Sequence, residues 1–114
     1  MTLTEDELSD IESTVGALCI RRTSPKFKAK LSIEYRVKGH DVTIIERRPK
    51  WDGKPGFTEN GVARFKFTRT SKKWRLLWQR ADLKWYAYQG TENRTQLAQL
   101  VAEVDSDPWG CFFG

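Results

Sequence analysis

Asp82-Leu83-Lys84 places a carboxylate and an amine two residues apart, and on an extended chain both project to the same side. Metal-dependent nucleases of the D/E-x-K kind use such a pair with an upstream acid: the carboxylates hold Mg²⁺ and the lysine steadies the attacking water. The segment just before it, residues 74–79, carries no acid, so Glu46 would have to supply the second carboxylate from two strands away. Shared metal ligands must converge, so this reading requires Glu46 and Asp82 at one site. The competing reading is a surface ion pair of Asp82 with Arg80 or Lys84, worth well under ~1 kcal/mol.

Other groups able to do chemistry are few. The sole histidine, His40, lies in Gly39-His40-Asp41 and is expected as an exposed turn residue rather than a general base. Cys19 falls in an apolar stripe and reads as core; Cys111, between Gly110 and Phe112, reads as tail packing rather than a nucleophile. There is no Cys-x-x-Cys pair, no Gly-x-Ser-x-Gly and no phosphate-cradling glycine loop. Nothing in a cytosolic domain requires Cys19 and Cys111 to pair. These residues favour a binding protein over an enzyme, with no catalytic residue, metal ligand or cofactor assigned.

Charge offers a second kind of chemistry. Residues 23–88 hold 17 Lys and Arg against six Asp and Glu, whereas both flanking segments are acidic and the whole chain is +5. A concentrated basic surface attracts polyanions, because phosphate contacts release counterions. The candidate nucleic-acid contacts are Arg36, Lys38, Arg47, Arg64, Lys66, Arg75 and Lys84, with Lys30 beside them and only Glu34 clearly opposing. Trp51 and Phe57, in the adjoining loop, could stack on bases. The alternative is that outward Lys and Arg solubilise strands and blunt edges.

The elements that must position these groups follow from periodicity. Thr4-Glu5-Asp6-Glu7 matches a capping box, and Leu8, Ile11, Val15, Leu18 and Cys19 recur at helical spacing, so a helix is expected until Pro25 stops it. Residues 30–38 alternate Leu31, Ile33, Tyr35 and Val37 with polar residues, a half-buried antiparallel strand. Residues 42–47, 62–69, 74–79 and 84–88 supply four more strands, although either Val42/Ile44 or Thr43/Ile45 could face inward. Pro49, Gly53, Pro55, Gly56 and Asn60-Gly61 predict a loop over residues 49–61. Thr95 is placed to cap a final helix with Leu97, Leu100, Val101 and Val104 on one stripe, and the aromatic tail after Asp107-Pro108 should dock on the body.

Short turns make consecutive strands antiparallel neighbours. The expected fold is α+β: a five-stranded antiparallel meander sheet with N-terminal and C-terminal helices packed on one face, in a single domain over residues 1–114. Five acids within the first 12 residues are the opposite of a secretory leader, and no apolar run reaches the ~20 residues of a membrane span, so the cytoplasm is the expected location.

Three stretches together carry a resemblance: Glu46-Arg47-Arg48-Pro49-Lys50-Trp51, Trp78-Gln79-Arg80-Ala81-Asp82-Leu83-Lys84-Trp85 and Asp107-Pro108-Trp109-Gly110-Cys111-Phe112-Phe113-Gly114. The chain resembles the bacterial domain-of-unknown-function family numbered 3024, nearly end to end. That resemblance implies no substrate and no catalytic residue. The family pattern often has a histidine after Leu-Lys-Trp and a tyrosine before Gly-Cys; Tyr86 and Trp109 stand there in this chain.

The middle stretch also invites a physical reading. Arg80, Asp82 and Lys84 at a strand turn, flanked by Trp78 and Trp85, could shape a polar pocket rimmed by aromatics, to which Glu46 is also assigned. Equally, Asp82 could accept from backbone N–H groups and simply hold the turn. The leading expectation is a small binding domain that presents a basic sheet face to nucleic acid or another polyanion. The alternative is a protein-interaction or homodimerisation module, and a metal-dependent nuclease comes third.

Overall fold

The structure is a computed structural model describing residues 3–23, 32–50, 55–89 and 96–112. It opens with α1 (Glu5–Ile11), capped as the sequence predicts: the Glu7 N–H donates to Thr4 Oγ1 at 3.2 Å and the Thr4 N–H to Glu7 Oε1 at 2.8 Å. The helical run then widens into a π turn (Glu12–Gly16) before continuing as α2 (Ala17–Arg22). The Ser13 and Thr14 hydroxyls both donate to the Asp10 carbonyl, at 3.0 and 2.7 Å, and such back-bonding loosens the α pattern there. Ile11, Val15, Leu18 and Cys19 are buried as expected. Leu8, placed on the same stripe by its spacing, is exposed instead, and Leu3 joins the core.

Five strands follow: β1 (Ser32–Lys38), β2 (Asp41–Pro49), β3 (Phe57–Thr68), β4 (Lys73–Gln79) and β5 (Trp85–Ala87). They pair antiparallel in sequence order, a meander. After β5 comes α3 (Leu97–Ser106), followed by a tail described through Phe112. Its N-cap is Gln96, one position after Thr95, which lies outside the described residues, as do Leu31, Pro25 and Phe113. The architecture is therefore α+β, with both helical segments on one face of one sheet.

Residues 49–61, expected as a loop, largely continue the β2–β3 hairpin. β2 runs through Pro49, β3 begins at Phe57, and the Lys50 N–H donates to the Gly56 carbonyl at 3.2 Å. Proline is tolerated there because the last position of a strand need not donate to the ladder.

The core lies between the helices and one sheet face. Ile33, Val42, Ile44, Ala63, Phe65, Phe67, Trp74 and Leu76 meet Val15, Leu18, Leu97, Leu100 and Val104 in one cluster, with Tyr35 and Trp78 packed against it. This settles the face of β2, since Val42 and Ile44 point inward. Two ion-pair links reinforce the closure. Arg21 and Arg22 of α2 both reach Asp105 of α3, at 3.3 and 3.2 Å, and Arg69 of the β3–β4 turn reaches Glu7 of α1 at 2.9 Å. Thr23 ties α2 to β1: its hydroxyl accepts the Ile33 N–H at 2.9 Å.

One irregularity re-aims the sheet. Ile44 pairs with Ala63 but Ile45 pairs with Gly61, so Val62 is an extra residue in β3. Such a bulge bends its strand and increases local twist. Val62 turns into the core at 4% exposure, and beyond it Gly61 occupies the opposite face. There the Trp85 indole lies so close that a Cβ on Gly61 would fall 2.7 Å from Trp85 Cζ2 and 2.6 Å from Gln79 Oε1. The ring thus covers a backbone that only glycine leaves bare.

We predict that Gly61→Ala lowers stability by on the order of 1–3 kcal/mol, the usual cost of overpacking. A urea unfolding curve checks this; an unchanged midpoint would mean that the Trp85 ring swings aside freely.

Candidate functional site

The sheet face away from the helices was expected to be a basic field opposed by Glu34 alone. The register shows a more divided surface. Arg36 makes a two-pronged ion pair with Glu59 of β3, a carboxylate that sequence reading left in the expected loop. The guanidinium lowers the Glu59 pKa, and Glu59 raises that of Arg36, chiefly through the shared hydrogen bonds. Arg47 stands 3.9 Å from Glu34 and over the Phe57 ring at 4.3 Å. Arg64 donates to Thr43 Oγ1 at 3.1 Å and stacks on Trp85 at 4.5 Å. Ile45 and Leu77, although on this face, are only 7% and 8% exposed. Half of the face is thus a minor core roofed by arginine stems and Trp85.

The other half is different. Lys38 pairs across with Asp41, Asp41 with Lys66, and Lys66 with Arg75, so one cross-strand row carries three cations around one carboxylate. Lys73 follows on the same face, opposite Thr68. None of Lys38, Lys66, Lys73 and Arg75 forms an ion pair among the described residues. Lys84 belongs to the β4–β5 turn, not to this row, and Trp51 lies outside the described residues.

The nuclease-like arrangement finds little support. Glu46 is held by Arg48, whose Nε lies 2.5 Å from Glu46 Oε1. Both Asp82 oxygens are engaged: Oδ1 accepts the Lys84 N–H at 3.0 Å and Oδ2 accepts the Tyr86 hydroxyl at 2.5 Å. Among the described residues no three of His, Cys, Asp and Glu come together as a metal cluster would require. Asp82 thus holds the turn, the second reading that its sequence position allowed. His40, expected to be exposed, is half-buried and meets Phe67 edge-on at 6.1 Å between ring centres. Burial pushes the Cys19 thiol up to about 11, in keeping with a core role.

The turn itself is strained. The Leu83 N–H donates to the Arg80 carbonyl at 2.8 Å and the Arg80 N–H to the Lys84 carbonyl at 3.1 Å, which forces Leu83 to φ 66°. Its side chain is 72% exposed. Leucine in the left-handed region costs about 1–2 kcal/mol.

The expected aromatic-rimmed pocket divides across the sheet. Trp85 lies on the open face, whereas Trp78 and Tyr86, paired across β4 and β5, share the helix side. On that side Trp78, Arg80, Tyr86, Trp109 and Cys111 line a cavity of about 660 Å³. Sequence reading missed Tyr86, Trp109 and Cys111 as its partners. The available signal was that residues 78–85 and 107–114 are two of the three signature stretches, and they meet here. Asp107 makes the meeting possible: it caps α3 in the left-handed region at φ 44° and its Oδ1 accepts the Phe112 N–H at 3.1 Å, which turns the tail back onto Tyr88.

Fold and surfaces define an α+β meander domain with one helix-closed face and one face of mixed charge. The chain belongs to the family described as Domain of unknown function (DUF3024), whose sequence model matches residues 3–114. No curated protein and no solved structure matches the chain. No helix among the described residues is long and apolar enough to cross a membrane.

Two predictions follow from the β4–β5 turn. Leu83→Gly should raise unfolding stability by about 1 kcal/mol by relieving the left-handed strain, read from the denaturation midpoint; a fall would assign the leucine a packing role. The Tyr86 hydroxyl, ahead of the Lys84 N–H, holds the Asp82 pKa below its usual value. A depressed carboxyl stabilises the fold above its unfolded pKa, and that contribution disappears as pH falls through the folded pKa. Tyr86→Phe should therefore move the Asp82 titration upward, as carbon-detected NMR of its carboxyl would record; an unmoved midpoint would assign the low pKa to the backbone donor.

Proposed function

We propose that this domain binds polyanions, nucleic acid foremost, through the half of its open sheet face that carries Lys38, Lys66, Lys73 and Arg75, with Arg64 at its border. The observation that carries the reading is the cross-strand row of three cations around Asp41, none of them in an ion pair with a described carboxylate. A cation already held by a protein carboxylate releases little on meeting phosphate, whereas an unpaired one on a flat sheet can displace the polymer's counterions. Arg36 and Arg47 do not belong to this surface in the proposal, because Glu59 and Glu34 already face them. The footprint is consequently smaller than the net charge of residues 23–88 suggests.

Binding of this kind has no base readout and should be micromolar at low salt. The test is fluorescence anisotropy with a labelled single-stranded oligonucleotide across a salt series. The triple variant Lys38→Ala/Lys66→Ala/Arg75→Ala should reduce the slope of log affinity against log salt by about 2, from about 0.7 per lost phosphate contact. Arg36→Ala should leave the slope nearly unchanged. A slope insensitive to the triple variant, or a dimer in light scattering that buries this row, would overturn the proposal.

A further inference from the structure

The cavity between the β4–β5 hairpin and the tail lies on the helix side of the sheet, away from the basic row. Its size, about 660 Å³, falls within the range that holds one small organic molecule. Arg80 enters it as a positioned donor. Its guanidinium lies 5.5 Å from the Trp78 ring centre and 4.9 Å from that of Tyr86, a cation over two neighbouring rings. An arginine over aromatic rings still has N–H donors to offer an oxyanion. Arg80 forms no ion pair among the described residues. Asp82, whose charge Arg80 feels without forming an ion pair, accepts from Tyr86 and from the Lys84 N–H.

The tail supplies the rest of this lining. Trp109 is 78% exposed, the most exposed large apolar side chain in the described residues, and it stands on the cavity rim. Cys111 lies deeper than Trp109, and burial, followed by the Asp107 carboxylate, raises its pKa, so the thiol itself stays neutral. A cation over aromatic rings and a bare indole in one cavity lining call for a ligand with two matching parts. The cation pairs with an oxyanion by two parallel hydrogen bonds, and the indole covers a flat ring.

We infer that the Trp78–Arg80–Tyr86–Trp109 cavity is a binding site for a small planar aromatic molecule bearing an oxyanion, a carboxylate or a phosphate, with the oxyanion on Arg80 and the ring against Trp109. The site needs no residue of the basic row and is independent of nucleic-acid binding.

The test is an NMR titration of the full chain with 1-naphthoate and with 1-naphthyl phosphate, observed at the five tryptophan indole N–H resonances. Trp109→Phe identifies its own signal. Saturable shifts at Trp109 and Trp78, with Trp85 on the other face unmoved, are expected for at least one ligand, and which ligand responds assigns the oxyanion. Arg80→Lys should weaken binding about tenfold, because a point charge replaces a planar two-pronged donor. Trp109→Ala, at a position too exposed to endanger folding, should also weaken it, whereas Lys66→Ala/Arg75→Ala should not. The inference is overturned if neither ligand shifts these resonances, if Arg80→Lys binds as tightly as the unmodified chain, or if neutral 1-naphthol or inorganic phosphate binds as well as the two-part ligands.

Discussion

The molecule depends on the closure of a single sheet face. A lone antiparallel sheet has two sides, and only the side lined by Val42, Ile44, Phe65, Phe67, Trp74 and Leu76 is apolar enough to leave water. The turns linking the strands are too short to reach over it. Cover must come from outside the meander, and the two ends of the chain supply it: the π turn packs on β1 and on α3, and α3 packs on β3 and β4. Asp105 then joins the two covers by receiving both Arg21 and Arg22. The acidic character of the helical ends and the basic character of the sheet follow from this division of labour, because each element turns its polar residues outward on its own side.

The bulge at Val62 decides what the open face can be. Up to Ala63, alternation along β3 sends Arg64 and Lys66 outward in step with Lys38 and Arg75. Past the extra residue, the strand presents Gly61, Glu59 and Phe57 there instead. That segment collects Trp85 over Gly61, Glu59 under Arg36 and Phe57 under Arg47. One inserted residue therefore separates a self-satisfied half of the face from a half with unpaired cations. The same sheet carries, on its other side, a cavity whose arginine lies over two aromatic rings and forms no ion pair among the described residues.

Much of this architecture was legible in the sequence. Strict alternation at Ile33 and Tyr35, and again at Trp74, Leu76 and Trp78, identifies strands and their inward faces, because the side-chain period of a strand is two; Val37, next in the first series, is exposed at the sheet's edge strand. The capping box at Thr4 and Glu7 placed the first helix start. What failed had identifiable physical causes. Proline, glycine and asparagine around residues 49–61 signal turns, yet a long hairpin carries them at its end and at a bulge, so strand pairing extends into the expected loop and includes Glu59. Leu8, one turn ahead of Ile11 on the predicted stripe, lies past the edge of the core, where Leu3 packs instead. Ion pairs such as Arg36–Glu59 need registers between strands, and a sequence does not print registers. The cavity was half visible: residues 78–85 announced an arginine among aromatics, but the partner wall lies in the tail, and only the left-handed turn at Asp107 brings it there.

The clasp between Arg21, Arg22 and Asp105 spans more than 80 positions of sequence, the pair Arg21–Asp105 being 84 apart. Each hairpin of the meander can pair as soon as its second strand exists, because its contacts are local. The apolar side that those hairpins create stays wet until α3 has been made. During synthesis, an emerging chain thus carries a nearly complete sheet with half its cover for the interval between translation of β5 and of α3, and over that interval shielding of Phe65, Phe67 and Trp74 falls to whatever else receives nascent chains.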